Sequence, residues 1–278
     1  MGELYVVATP IGNLKDFTMR AVEVLKSVDI IACEDTRHSA RLMEYYDIRT
    51  PLQSYHEHNE RQKAEALIEG LRQGKSIALI SDAGTPLISD PGYHLVRLAH
   101  EADIRVVPVP GASALIAALS VSGLSSDRFV FEGFLPSKSN ARQKRLAELS
   151  EDSRTVIFYE STHRILACVD DLIAIMGGDR PAAIARELTK NFESLYNGPL
   201  ASIRTDLLAD VHQIKGEFVV LIQGLKDEVG LSSELTEKAK QLLLLLAKEL
   251  PPKKAASITA QVMGENKSSL YQYLISKN

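Results

Sequence analysis

Three loops of this 278-residue chain place small residues directly after apolar runs: Pro10-Ile11-Gly12, Asp82-Ala83-Gly84-Thr85 and Pro110-Gly111-Ala112-Ser113. Small residues let a ligand approach the backbone closely, although glycine and proline also serve ordinary turns. None of the three is a GxGxxG run, and the chain has no GxxxxGKS or GxxxxGKT, so the dinucleotide fingerprint and the phosphate-gripping P-loop are both missing. A nucleotide-like ligand without phosphates fits this pattern better. Asp82 follows its apolar run immediately, where a carboxylate accepts hydrogen bonds from a ribose diol or an ammonium group. Its alternative role is to cap the next turn, which Gly84 and Pro86 disfavour by making the loop irregular.

Other clusters are open to two readings. Glu34, Asp35 and Arg37 stand at the end of another apolar run, as a substrate-orienting group or as a solvated ion-pair network. Tyr159-Glu160-Ser161-Thr162-His163-Arg164 carries a dense set of functional groups, yet Ser161 or Thr162 there is also suited to capping a helix. Arg186-Glu187-Leu188-Thr189-Lys190 closes a strand, either as ion pairs or as part of a site. His56 and His58 superficially resemble metal ligands, but no third ligand with zinc spacing accompanies them, and a polar loop is the better reading. No metal is expected. The two cysteines, Cys33 and Cys168, lie far apart, which argues against a disulfide framework and for a reducing cytoplasm.

The elements that must position these groups are legible from periodicity. Apolar β-rich runs at 4–8, 29–33, 76–80 and 105–109 alternate with helical patterns, one of them starting near Thr18. Such alternation indicates right-handed crossovers and a mainly parallel sheet covered on both faces. An apolar helix over 113–121 ends near Gly123, and a polar linker at 125–128 leads to further β-rich runs at 129–131, 155–159, 182–185 and 217–222. From Leu231 the texture is helical alone: a stripe of Ala239, Leu242, Leu243, Leu246 and Leu250, a Pro251-Pro252 break, then helices at 253–262 and 268–276 around a turn at Gly264, the spacing of a helix-turn-helix. The expected domains are 1–122, 123–228 and 229–278.

Composition bounds the function. With 45% hydrophobic and 24% charged residues the chain is an ordinary globular protein, and its length allows about two domains of roughly 150 residues. A net charge of -4 argues against a generally basic, nucleic-acid-coating surface. The charge is uneven, however. Lys138, Arg142, Lys144 and Arg145 form a short stretch without an acid, and residues 232–278 hold seven lysines against four glutamates, Lys253 and Lys254 among them. The N-terminus has neither a signal-peptide nor a myristoylation pattern, and the longest apolar run, residues 242–247, is far too short for a membrane span, so a soluble cytoplasmic protein without membrane contact is expected.

Taken in order, the motifs LYVVATPIGNLKD, CEDTRHS, SDAGTPLISDPGYHLV, GFLPSKS, FYESTHR, RELTK and GEFVVLI resemble the tetrapyrrole methylase superfamily of S-adenosylmethionine-dependent methyltransferases, and within it the branch acting on small-subunit ribosomal RNA. The resemblance runs from Leu4 to about Ile222, and RNA-modifying members append a helical domain similar to 231–278. It implies two α/β domains of the class III methyltransferase type with a cofactor cleft between them, a small C-terminal helical domain, and a homodimer. The implied activity is 2'-O-methylation of the ribose of a decoding-centre cytidine in 16S ribosomal RNA, in the 30S subunit or as free RNA.

The resemblance also carries cofactor contacts to Pro10, Asp82, Thr85, Ser113 and Ala114, with Gly12, Gly84 and Pro110 in the same loops, and to Tyr159 and Leu188 on the opposite wall. Methyl transfer requires oxygen, methyl and sulfur in line, and a ribose hydroxyl benefits from a nearby base. Glu34, Asp35 and Glu160 are the candidates for that base. Arg37, His163, Arg164, Arg186 and Lys190, together with the basic stretch and Lys253 and Lys254, are candidates to hold RNA phosphates. Two rivals stay open, a precorrin-type small-molecule methyltransferase and a non-catalytic cofactor sensor.

Overall fold

The computed structural model describes residues 2–56, 59–209, 215–225 and 235–277. His58, the boundary expected at 228/229 and the helical start expected at Leu231 lie outside the described residues. The chain divides into two compact units, Met1–Gly224 and Leu225–Asn278.

The first unit begins with a parallel sheet of β1 (Leu4–Val7), β2 (Ile30–Cys33), β3 (Leu52–Ser54), β4 (Ile77–Leu79) and β5 (Val106–Val109), in the order β3-β2-β4-β1-β5. Successive strand residues point to opposite faces, so Ile31, Cys33, Ala78 and Ile80 pack with α1 (Met19–Ser27) and α2 (Thr36–Tyr45). Ala32, Ile77 and Leu79 pack with α3 (Glu60–Arg72) and α4 (Tyr93–Glu101) on the other face. The helices after β1 and β2 lie on one face and those after β3 and β4 on the other, which opens a crevice at the carboxyl ends of the adjacent β1 and β4. Thr18 caps α1 by accepting the Ala21 N–H at 3.1 Å. The sequence reading lacked β3, because Leu52-Gln53-Ser54 has a single apolar residue; its register against Ile31–Cys33 makes it an edge strand.

A second, mixed sheet joins β6 (Phe129–Phe134), β7 (Thr155–Ser161), β8 (Pro181–Arg186), β9 (Ser194–Pro199) and β10 (Glu217–Ile222) in the order β6-β7-β10-β8-β9. Only β6 and β7 run parallel. β9, Ser-Leu-Tyr-Asn-Gly-Pro, was also missing from the sequence reading, since little in it is apolar and its pairing with β8 creates the strand. One face of the sheet is covered by α6 (Ser139–Leu149), α7 (Ile165–Met176) and α8 (Leu200–Ala209). The other is covered by α5 (Ala114–Ser122), whose Leu115, Ala118 and Leu119 pack on Ile157, Ala183, Ala185, Val219 and Leu221. Thus α5 leaves the last loop of the first sheet and packs on the second. Gly123, at φ +69°, ends it in the left-handed conformation that glycine adopts without strain.

Between α6 and α7, Arg142 is only 3% exposed and donates its Nε to Asp171 Oδ2 at 2.7 Å. Asp171 also accepts from Gln143 Nε2 at 2.6 Å and Ser139 Oγ at 3.1 Å. Burial alone would push the Asp171 carboxyl up, but these bonds outweigh it and hold the group low. Arg142, expected among the RNA-holding cations, is therefore an internal fastener, because its charge is consumed beneath the surface. Removing one partner of a buried ion pair costs about 3–5 kcal/mol.

The second unit packs α9 (Glu237–Glu249), α10 (Pro252–Met263) and α11 (Lys267–Lys277) around Leu235, Ala239, Leu243, Ala255, Ala256, Leu270 and Leu274. Pro252 opens α10, where a missing N–H is harmless, and Gly264 at φ +70° closes it. Lys253 and Lys254 are exposed on the first turn of α10. Among the described residues no helix is long and apolar enough to cross a membrane.

Arg142→Ala should lower the unfolding free energy by about 3–5 kcal/mol in urea titrations while RNA affinity of the folded fraction is unchanged. A loss of RNA affinity without a loss of stability would contradict the internal role.

Candidate active site

The ends of the first-sheet strands are sewn together by short backbone and side-chain bonds. Thr9 N donates to Gly84 O at 2.8 Å and Gly84 N returns a bond to Thr9 O at 3.1 Å. Thr9 Oγ1 donates to Ser81 O at 3.1 Å, and Thr85 Oγ1 to Ala112 O at 3.0 Å, so the loops after β1, β4 and β5 form one surface. Gly84 sits at φ +81°, and a Cβ there would lie 3.2 Å from Ile11 Cγ2. Asp82 Oδ1 accepts the Asp35 N–H at 3.1 Å, which adds the end of β2. Asp82 therefore neither caps its own turn nor stands alone; it ties two strand ends and keeps its remaining oxygen.

Two adjoining cavities lie against this surface. The larger, about 370 Å³, is walled by Gly84, Thr85, Ser113 and Ala114 from the first half and by Tyr159, Leu188 and Val219 from the second. Tyr159 stands edge-on to Phe131 and Phe134, with ring centroids 4.9 and 5.7 Å away. The smaller, about 290 Å³, includes Pro10, Gly12 and Asp82, and shares Ile11, Ala83 and Glu217 with the larger. Nine of the ten residues expected at the cofactor thus face one cavity or the other, and Pro110 faces neither. Gly12 has a purpose that spacing did not reveal: a Cβ there would fall 2.5 Å from Lys190 Cγ and 2.9 Å from Thr189 Oγ1, so its absence admits the opposite loop rather than a ligand. Asn13 N donates to that Thr189 Oγ1 at 3.1 Å.

Backbone strain concentrates around the larger cavity. Leu87 and Ser89 on one side, and Glu187 and Thr189 on the other, have φ between 50° and 71° without being glycine. Each such residue costs about 1–3 kcal/mol, and packing must hold it.

The carboxylates expected to act as bases are used differently. Asp35 caps α2, accepting the Arg37 N–H at 2.8 Å, and its side-chain bond to Arg37 holds its carboxyl below the usual range. Glu160 belongs to the lining of the larger cavity, but its side chain is fully buried, accepts the Ser161 N–H at 2.7 Å and pairs with Arg164 at 3.1 Å, which does not suit the role of a base. On β7 it alternates with Tyr159, so the ring faces the cavity and the carboxylate faces the helices, where it anchors α7. Glu34 is half-buried at the end of β2, near Asp82 and Asp90. Asp90, which motif reading passed over, lines the larger cavity. Burial, then the charges of Glu34 and Asp82, push its carboxyl up to about 6 against a smaller lowering by the Ser81 hydroxyl. In sequence it reads as the turn Ser89-Asp90-Pro91-Gly92, and only folding surrounds it with other acids.

The expected RNA-binding cations separate by burial. Arg37, Lys138, Lys144, His163, Lys253 and Lys254 are exposed. Arg186 is 7% exposed and spends its Nε on Lys215 O at 2.6 Å. Arg164 holds Leu135 O at 2.7 Å as well as Glu160, so both arginines, like Arg142, are structural. Arg145 pairs with Glu132 and Glu148, and Lys190 with Glu187 and Glu217. His56 forms a turn with Asn59, whose Oδ1 accepts its N–H at 2.9 Å. Among the described residues no three His, Cys, Asp or Glu groups are placed to hold a metal.

Comparison with known proteins decides the family. The model described as Tetrapyrrole (Corrin/Porphyrin) Methylases matches residues 3–204, and the RsmI C-terminal HTH domain matches residues 233–277. The Ribosomal RNA small subunit methyltransferase I of Haemophilus influenzae is 53% identical over 272 residues, 98% of this chain and 96% of its own. The chain belongs to the tetrapyrrole methylase family, in its ribosomal RNA small subunit methyltransferase I branch. Solved tetrapyrrole methylases share the fold at low identity. The methyltransferase CobJ has a TM-score of 0.60 at 19% identity, covering 81% of this chain and 95% of that one. A uroporphyrin-III C-methyl transferase from Thermus thermophilus, complexed with S-adenyl homocysteine, has a TM-score of 0.55 at 16% identity, covering 82% and 100%. As a tetrapyrrole methylase the protein is a methyltransferase.

The buried side of β7 yields a test. Glu160→Gln should cost about 1–3 kcal/mol of stability by leaving Arg164 short of its partner, while the dissociation constant for S-adenosylhomocysteine stays within threefold. A tenfold change in that constant, measured calorimetrically, would restore Glu160 to the site.

Proposed function

We propose that this tetrapyrrole methylase transfers a methyl group from S-adenosylmethionine to the 2'-hydroxyl of a decoding-centre cytidine in 16S ribosomal RNA, as a cytoplasmic homodimer acting on the 30S subunit. The observation that carries the reading is the 53% identity over 98% of the chain with a ribosomal RNA small subunit methyltransferase I, together with a cavity of suitable size and polarity. About 370 Å³ falls within the 300–1,000 Å³ typical of small-ligand sites. The donor set fits the cofactor: apolar Ala114, Leu188 and Val219 suit a purine, and Asp82 suits a cationic amino group. When bound, S-adenosylmethionine supplies an activated methyl group on a positively charged sulfur.

In this reading Pro10, Gly84, Thr85, Ser113 and Ala114 shape the near wall, and Tyr159 and Leu188 the far one. The two walls exclude water and fix the acceptor oxygen relative to the methyl carbon; such positioning supplies much of the rate in a bimolecular displacement. Exposed Arg37, Lys138, Lys144 and His163 serve RNA phosphates, with Lys253 and Lys254 of the second unit. Phosphate contacts of this kind set register and affinity without reading bases.

Labelled-methyl assays comparing 30S subunits, naked 16S RNA and a tetrapyrrole precursor should show incorporation into RNA, and mapping should place it on a cytidine 2'-oxygen. Incorporation into the tetrapyrrole would overturn the reading. Asp82→Ala should raise the cofactor dissociation constant about tenfold, or about 1.4 kcal/mol. Lys253→Ala/Lys254→Ala should weaken RNA binding and reduce the slope of log affinity against log salt by up to about two, with cofactor binding unchanged; an unaltered slope would remove α10 from the RNA surface.

A further inference from the structure

The carboxylate residues lining the larger cavity are Asp90, Glu160 and Glu217, and the requirements of a base select one of them. It must reach the cavity, lack a permanent cationic partner and be matched to neutral pH. Asp35 is capped by Arg37, Glu160 is buried against Arg164, and Glu187 is held low by Lys190 despite its burial. Glu217 also pairs with Lys190. Asp90 lines the cavity, and among the described residues no arginine, lysine or histidine pairs with it.

The fold holds Asp90 in a defined place. It follows Leu87 and Ser89, both in the left-handed region, so the chain from Thr85 to Gly92 is kept in a conformation that it would not adopt alone. Across the cavity, β6 shifts register between Phe131 and Phe134, and Gly133 there, at φ +65°, has no Cβ; one would lie 3.3 Å from Ser89 Oγ. The irregularity of the second sheet therefore accommodates the loop of the first. Asp90 is faced by Glu34 from β2, Asp82 and the Ser81 hydroxyl from the end of β4, and Tyr159 from β7. Its negative charge in turn helps to push the Tyr159 phenol up, after burial.

We propose that Asp90 is the general base of the methyl transfer, taking the proton of the acceptor ribose hydroxyl; this rests on the 2'-hydroxyl reading above. As the new C–O bond forms, the C–S bond breaks and its electron pair stays on sulfur, while the hydroxyl proton passes to an Asp90 carboxylate oxygen and later to water. Burial first, and then the acidic neighbours, make Asp90 a stronger base than an ordinary aspartate, because both disfavour the charged form. Its carboxyl titrates at about 6, so it is ionised at neutral pH and loses its capacity as the pH falls through that value.

Asp90→Asn preserves shape and removes basicity, and Asp90→Glu retains a carboxylate. In the unliganded protein, carboxyl 13C NMR should show an aspartate titrating near 6 that is absent from Asp90→Asn. In single turnovers with the RNA that the wild type methylates, Asp90→Asn should be 10²–10⁴-fold slower and lose the acid limb below pH 6, Asp90→Glu should recover that limb, and S-adenosylhomocysteine affinity should stay within threefold. A rate above one tenth of wild type, an unchanged acid limb, or a loss of S-adenosylhomocysteine affinity that accounts for the rate would overturn the assignment. Mapping the product separates the two readings. If the wild type methylates a different atom, the 2'-hydroxyl reading fails, and the Asp90→Asn rate at that atom still decides whether Asp90 is a base.

Discussion

The reciprocal backbone bond between Thr9 and Gly84 is the constraint that the site depends on. A parallel sheet leaves its strand ends as separate loops, and loops at a surface ordinarily move independently. Here one pair of hydrogen bonds joins the loops after the two central strands. Thr85 extends the junction to the loop after β5, and Asp82 extends it to the end of β2. The surface so formed presents backbone and small side chains to the cavity, and its rigidity lets the neighbouring loop of Leu87 and Ser89 be held in strained conformations.

A second coupling joins the halves of the first unit. α5 begins in the third loop and buries Leu115, Ala118 and Leu119 on the second sheet, so the near and far walls of the cavity belong to one packed body. Thr189 accepts from Asn13, and Gly12 leaves space for Lys190 to come close. These contacts are local and polar, whereas α5 contributes the apolar area, roughly 1.5–3 kcal/mol for each large side chain fully buried. The cavity is thus made by packing between two sheets, and its acids are concentrated there because the ends of β2 and β4 are adjacent.

Electrostatics divides the charged residues into those used by the fold and those left for ligands. Arg142, Arg164 and Arg186 are as basic by type as Arg37, yet Asp171, Glu160 or a backbone carbonyl engages each of them, and Arg142 and Arg186 are buried as well. In the second unit Lys238, Lys248, Lys253, Lys254 and Lys267 stand at exposed positions, whereas Lys240 pairs with Glu237. An acidic protein can accordingly present cations locally, and the overall charge of -4 says little about any one face.

By itself the sequence determined the eight apolar strands, the helices between them, the helical texture of the C-terminal segment and the loops that meet at the cavity, because each is encoded by local periodicity or by glycine and proline. The motifs also carried the family. Tertiary structure alone decided the rest. β3 and β9 exist by pairing and lack a pattern of their own; Glu160 and Arg142 became internal because alternation and helix packing turned them inward. Asp90, a turn residue in sequence, acquired its character from Glu34, Asp82 and Tyr159, which lie 56, 8 and 69 positions away along the chain. Periodicity encodes which face a residue takes within its own element, but the charge and burial that tune a carboxylate come from neighbours that only the folded chain brings together.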